Sequence, residues 1–236
     1  SKLRLNPKII GPVMALGVSP FIMQSTESLL SICFNTQLQQ FGGDLAVGAM
    51  AILSSVMQFG MLPLMGMTQG AQPIISYNFG ARNAGRVKKA FQLLLACSMV
   101  FTFVLWAACM LIPKAFVLIF SSDPALTEIS VWALRIYMGT FLFFGAQIAC
   151  QQTFIALGQA AVSLFLALLR KVILLIPLIF ILPRFFSDQV FAVFLAEPVA
   201  DLLAVLITVL MFTSRFRKIL SDLHHDSPVE QPVGKA

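Results

Sequence analysis

Charge is scarce in this sequence. Of 236 residues, 16 are Lys or Arg and 10 are Asp or Glu, 11% in all, where a soluble domain carries about a quarter. No stretch supplies the polar surface of a soluble fold. Histidine is scarcer still: the two present, His224 and His225, lie in the polar tail His224-His225-Asp226-Ser227-Pro228. That tail reads as a solvated, disordered terminus, with a metal site on the histidine pair as the alternative. No G-x-S-x-G, H-E-x-x-H or phosphate-cradling glycine loop occurs, which removes the usual hydrolytic and nucleotide-dependent chemistries. The chain is not expected to be an enzyme. Four cysteines (Cys33, Cys97, Cys109, Cys150) fall inside apolar runs with no C-x-x-C spacing. They read as small hydrophobes, with neither disulfide nor metal expected. A signal peptide is missing too. Residues 1–8 are basic and lead straight into an apolar run from a first residue, Ser1, that is not Met. We expect sequence upstream of it.

What is abundant is apolar. Hydrophobic residues make up 58%, with 22 Phe and a mean hydropathy of +0.89. Six runs stand out, at about 9–38, 45–77, 90–112, 125–157, 160–182 and 189–213. Roughly 20 apolar residues cross the hydrocarbon core as a helix. The runs are continuous rather than alternating, which selects helices over barrel strands. The fold class is all-α: a polytopic membrane protein with six transmembrane helices over residues 1–218 and a disordered tail at 219–236. Pro20, Pro63, Pro73 and Pro177 lie within runs, the last predicting a kink. Phe41-Gly42-Gly43-Asp44 breaks the first run from the second, with Asp44 placed to cap. Ser121-Ser122-Asp123-Pro124 offers an Asp cap and a first-turn Pro. The run at 125–157 exceeds the bilayer and is expected to tilt or protrude.

The net charge of +6 is distributed by side. Lys2, Arg4, Lys8, Arg82, Arg86, Lys88, Lys89, Arg215, Arg217 and Lys218 fall on one face of a six-span topology. Lys114 and Arg184 fall on the other, with Asp44, Asp123, Glu128 and Asp188. Basic loops stay cytoplasmic, so both termini are expected inside. The charge sets topology and is not a nucleic-acid surface.

Ionisable residues inside the runs are candidates for function, because a charge at bilayer centre costs about 3 kcal/mol on insertion scales. Gln24, Glu27, Ser28, Ser31 and Asn35 recur at three- and four-residue steps and form one stripe on the first helix. Glu27 reads as a proton- or cation-handling acid; hydrogen-bonded glue between helices is the plainer reading of the stripe. Glu197 and Asp201 share a face beside Pro198. Two carboxylates so close repel, so one holds a proton or the pair meets a cation. Arg170 and Lys171 in the fifth run are the available partners, in a structural pair or a functional cluster alike. Arg135 reads as a snorkelling side chain. Met57, Met61 and Met65, and Gln147, Gln151 and Phe154, fall at helical steps. Such a surface suits varied amphipathic ligands, and ordinary packing explains the methionines equally well.

Four stretches resemble the multidrug and toxic compound extrusion (MATE) transporters. Gln72-Pro73-Ile74-Ile75-Ser76-Tyr77-Asn78-Phe79-Gly80-Ala81-Arg82, continuing to Arg86-Val87-Lys88-Lys89-Ala90, resembles the signature of their second half. Pro20, Glu27, Asn35 and the Gly42-Gly43-Asp44 turn resemble their seventh helix. Ala156-Leu157-Gly158-Gln159, with Arg170 and Pro177, resembles the region of helices ten and eleven. Ala196-Glu197-Pro198-Val199-Ala200-Asp201 resembles the twelfth. The details are closest to the MepA-type branch. The resemblance implies the C-terminal six-helix lobe of a twelve-helix exporter in a bacterial inner membrane. Its partners would be the N-terminal half, lipid and small organic cations. Organic, often cationic, drugs would leave in exchange for H⁺ or Na⁺, with no cofactor besides the coupling ion. Some relatives pair a seventh-helix carboxylate, which Glu27 resembles, with a tenth-helix aspartate. Here that region reads Ala146-Gln147, which favours protonation of Glu27 or a coupling site in the other half. Two rivals remain: a flippase of the related lipid-linked oligosaccharide exporters, and an intramembrane enzyme using Glu197 or Asp201.

Overall fold

The computed structural model describes residues 7–225, with side chains from Phe21 to Leu223 apart from Met23. Among these residues every regular element is helical. Helix α1, Pro7–Gly80, is 74 residues long but leaves helical geometry at Gly43 (φ 62, ψ −157). Unbroken, it would run about 110 Å, several times the roughly 30 Å hydrocarbon core. The positive φ at Gly43 suits a residue without Cβ. Asp44, expected as a cap, instead accepts from Gln39 Nε2 at 3.0 Å, across the break. The two arms, 7–42 and 44–80, both feed one apolar core through Leu30, Phe34 and Leu38 and through Ala49, Leu53 and Leu64.

Helix α2 (Ala84–Leu111) begins at Asn83, whose side chain accepts from Arg86 N at 3.1 Å. The short α3 (Pro113–Leu118) follows, then α4 (Pro124–Tyr137). Asp123 caps α4 as expected, Oδ1 accepting from Ala125 N at 2.9 Å, with Pro124 in the first turn. Asp123→Ala is expected to lower stability by about 1 kcal/mol, read as a fall in the melting temperature of purified protein. An unchanged value would mean that water replaces the cap at no cost.

The expected single run at 125–157 is corrected. It parts into α4 and α5 (Phe141–Ala156), bent by 51°. An over-long apolar segment thus fits by bending rather than only by tilting. The bend frees backbone groups at Gly139, and Trp106 Nε1 of α2 donates to that carbonyl at 3.1 Å. The next span is also irregular. Helix α6 (Ala160–Leu168) passes into a π-helical segment, Leu169–Leu175, before α7 (Ile176–Ile181) and a 3₁₀ turn, Leu182–Arg184. Pro177 supplies no N–H and its ring crowds the carbonyl four residues back. The chain answers by widening, Ile176 N–H reaching back to Lys171 O in the i−5 register.

Helix α8, Gln189–His225, closes the order with Pro198 inside it. It runs beyond residue 218, so the tail expected to be disordered from 219 is helical as far as His225. The histidine pair ends that helix. Residues 1–6 and 226–236, including Lys2, Arg4 and the rest of the tail, lie outside the described residues.

Four continuous helical segments are long and apolar enough to span, and the bent α4–α5 pair makes a fifth. Dividing α1 at Gly43 gives the sixth. The exterior is apolar in the manner of a lipid-facing wall: Val100, Phe103, Val104 and Leu111 of α2 and Leu206 and Leu210 of α8 are exposed. A second core cluster joins Ile75, Phe91, Phe154, Phe212 and Phe216, where Phe91 and Phe212 rings lie 4.6 Å apart. The four cysteines are unpaired thiols, Cys97 alone exposed.

Candidate functional site

Helix α8 carries Glu197 and Asp201 one turn apart, so both project to one side. The π-helical segment brings Arg170 against them. Its Nη2 donates to Glu197 Oε1 at 2.8 Å and its Nε to Asp201 Oδ1 at 2.5 Å. The three side chains are 10%, 6% and 3% exposed in the order Arg170, Glu197, Asp201. The guanidinium also lies over the Phe144 ring, 4.8 Å from its centroid, and Tyr137 is within electrostatic reach of all three charges. A planar fork meeting two acids is the geometry that makes a buried pair tolerable. With every group ionised, however, the triad keeps one negative charge in excess.

Glu27 stands elsewhere. Its side chain is 52% exposed and ion-paired to Lys171, the residue after Arg170. Gln24, Ser28, Ser31 and Asn35 are exposed with it, while Thr26, Leu30, Cys33, Phe34 and Leu38 turn to the core. The stripe read from the sequence is therefore a polar, accessible band along the first arm of α1. Ser28 Oγ satisfies itself on the Gln24 carbonyl at 3.2 Å.

The remaining expected cavity residues divide. Met57 and Met61 are half-buried against the first core, and only Met65 is exposed. Gln147, expected on an open surface, is 2% exposed inside the lobe, its Oε1 without a hydrogen bond. It sits on α5, which is enclosed on most sides. Gln151 is half-buried and donates to the Ser163 carbonyl at 3.0 Å. Arg135 is exposed at the end of α4. Among the described residues no three His, Cys, Asp or Glu side chains gather as metal ligands would.

Sequence reasoning grouped Arg170 and Lys171 as joint partners of the α8 acids. The structure divides them, one to each acidic site. The signal available was Pro177, because a proline with two adjacent cations six and seven positions upstream marks where helical facing changes. The Phe144 contact carried no sequence signal.

The MatE family model matches residues 20–181. The multidrug export protein MepA of Staphylococcus aureus is 27% identical over 208 residues, 87% of this chain and 46% of that protein. The chain thus spans about half the length of the curated relatives it matches. Among solved structures, the MATE multidrug transporter DinF-BH is 34% identical with a TM-score of 0.76, covering 94% of this chain and 49% of that one. An inward-facing multidrug resistance MATE family transporter of the MOP superfamily is 16% identical with a TM-score of 0.85, covering 96% and 51%; this last is a likeness of fold. The bent fourth span, the exposed acid on the first arm and the carboxylates beside Pro198 thus sit on a known architecture, and the chain belongs to the MatE family, matching the C-terminal half of its MepA-like transporters.

Proposed function

We propose that this chain is the C-terminal lobe of a cation-coupled exporter that expels organic, often cationic, drugs in exchange for H⁺ or Na⁺. One observation carries the reading: an acid, Glu27, is held half-exposed within an apolar span, on a band it shares with exposed Gln24, Ser28, Ser31 and Asn35. A carboxylate in that position is disfavoured against lipid and suits a water-filled cavity closed by a second, N-terminal lobe. The names of the relatives, a multidrug export protein and a multidrug transporter, supply the class of cargo. Exchange works by differential affinity: cation binding at Glu27 favours one orientation of the lobe and release favours the other. The protein lies in the bacterial inner membrane with both termini cytoplasmic, in line with the basic flanks of its spans. Six helices alone leave the band unenclosed, so the isolated lobe does not transport.

The band carries an acid, amides and hydroxyls but no arginine, which fits cationic cargo better than the anionic head of a lipid-linked oligosaccharide. Glu197 and Asp201 are both engaged by Arg170, an arrangement that suits structure better than acid–base catalysis. The test is drug efflux by the full-length transporter in vesicles under separate proton and sodium gradients. Glu27→Gln is expected to lower coupled efflux about tenfold or more, the ~1.5–3 kcal/mol of one interaction with a charged group. Coupling indistinguishable from wild type would remove Glu27 from the mechanism.

A further inference from the structure

Arg170 and Lys171 are neighbours in sequence, yet they answer different acids. Arg170 is committed to both α8 carboxylates by hydrogen bonds of 2.8 and 2.5 Å. Lys171 reaches the other way, to Glu27 on the first arm of α1. The two ends of this second pair differ in setting. Lys171 is 16% exposed and held by the lobe, whereas Glu27 is 52% exposed and opens onto the band of Gln24, Ser28 and Ser31. The carboxylate is therefore open to whatever enters, while its present partner is mostly enclosed by the lobe.

We propose that Lys171 is a tethered counter-ion: its ammonium occupies Glu27 in the empty lobe, and an incoming monovalent cation binds by displacing it. The inference rests on the reading of Glu27 as the cation-binding acid and adds the competitor that governs its affinity. Two physical points support it. An ionised acid at membrane depth without a partner is costly, and a lysine on a flexible four-carbon stem can supply a resident positive charge and withdraw it. A withdrawn ammonium also has somewhere to go. Arg170 balances only one of the two α8 carboxylates, and Glu197 and Asp201 both lie within electrostatic reach of Lys171. The displaced lysine moves from α1 toward α8, so occupancy of Glu27 is reported to the helix bearing the triad.

The experiment is equilibrium binding of radiolabelled tetraphenylphosphonium, a monovalent organic cation, to the purified full-length transporter. If the lysine leaves Glu27 free about a tenth of the time, removing it tightens apparent binding about tenfold. Lys171→Met is expected to show that gain, with Lys171→Gln as a polar replacement should methionine impair folding. Lys171→Arg keeps the competitor and is expected to bind as wild type. The double variant Lys171→Met/Glu27→Gln removes the pair as a neutral unit and is expected to bind as weakly as Glu27→Gln alone. Binding that is unchanged or weaker on removing Lys171, while Glu27→Gln still weakens it, overturns the counter-ion and leaves Glu27 in place. Binding unaffected by Glu27→Gln overturns both.

Discussion

Replacing Arg170 by methionine is expected to destabilise the protein by about 3–5 kcal/mol, the cost of stripping the partner from a buried charge. Two carboxylates that are 6% and 3% exposed would be left facing each other with the guanidinium gone. The ring of Phe144 would lose its cation as well. The measurement is thermal unfolding of the purified full-length protein in detergent. A companion variant sharpens it: Arg170→Met with Glu197→Gln and Asp201→Asn removes all formal charge and is expected to recover most of the loss, since it is the unpaired charge that costs most. A single Arg170→Met whose melting temperature matches wild type would mean that water reaches the triad and solvates the two carboxylates in place of the guanidinium.

The second large effect is steric. A Cβ added at Gly145 would come within 2.7 Å of the Ser98 carbonyl oxygen and 2.7 Å of Thr102 Oγ1, both on α2. The backbones of α2 and α5 approach there as small residues allow in membranes. Thr102 completes the joint, its hydroxyl shared between the Ser98 carbonyl at 2.9 Å and the Leu142 carbonyl of α5 at 3.1 Å. Gly145→Ala is expected to cost about 1–3 kcal/mol by overpacking, and Gly145→Leu to prevent recovery of a monodisperse folded protein. Gly66→Ala is the control: nothing lies within 4 Å of its added Cβ, so stability should hold or rise by up to about 1 kcal/mol. Equal tolerance at both positions would mean the helices do not meet as closely as the structure has them.

The all-helical, apolar character of the chain was readable because bilayer thickness imposes a minimum length on apolar runs. The Asp123 cap was readable for a local reason, since cap and helix are neighbours in sequence. Three features were not. The bend between α4 and α5 has no proline to announce it, only Gly139, and its stabilising donor, Trp106, sits on another helix. Gln147 shares an apolar run with residues of every burial class, and the run says nothing about which side a neighbouring helix will cover. The separation of Arg170 from Lys171 depends on a change of register to i−5, which a 3.6-residue projection places on the wrong face. The stripe from Gln24 to Asn35 was legible because that arm keeps a regular period throughout.

Glu27 and Lys171 stand 144 residues apart along the chain. A ribosome working at about 5–20 residues per second needs roughly 7–30 s to cover that interval. The first arm therefore enters the bilayer well before its lysine has been made, and for that time the acid has no partner from its own polypeptide. Neutralising Glu27 is thus a late event in the biogenesis of this lobe, left to a residue of its fifth span, and a nascent chain halted between those two moments carries the acid unpaired.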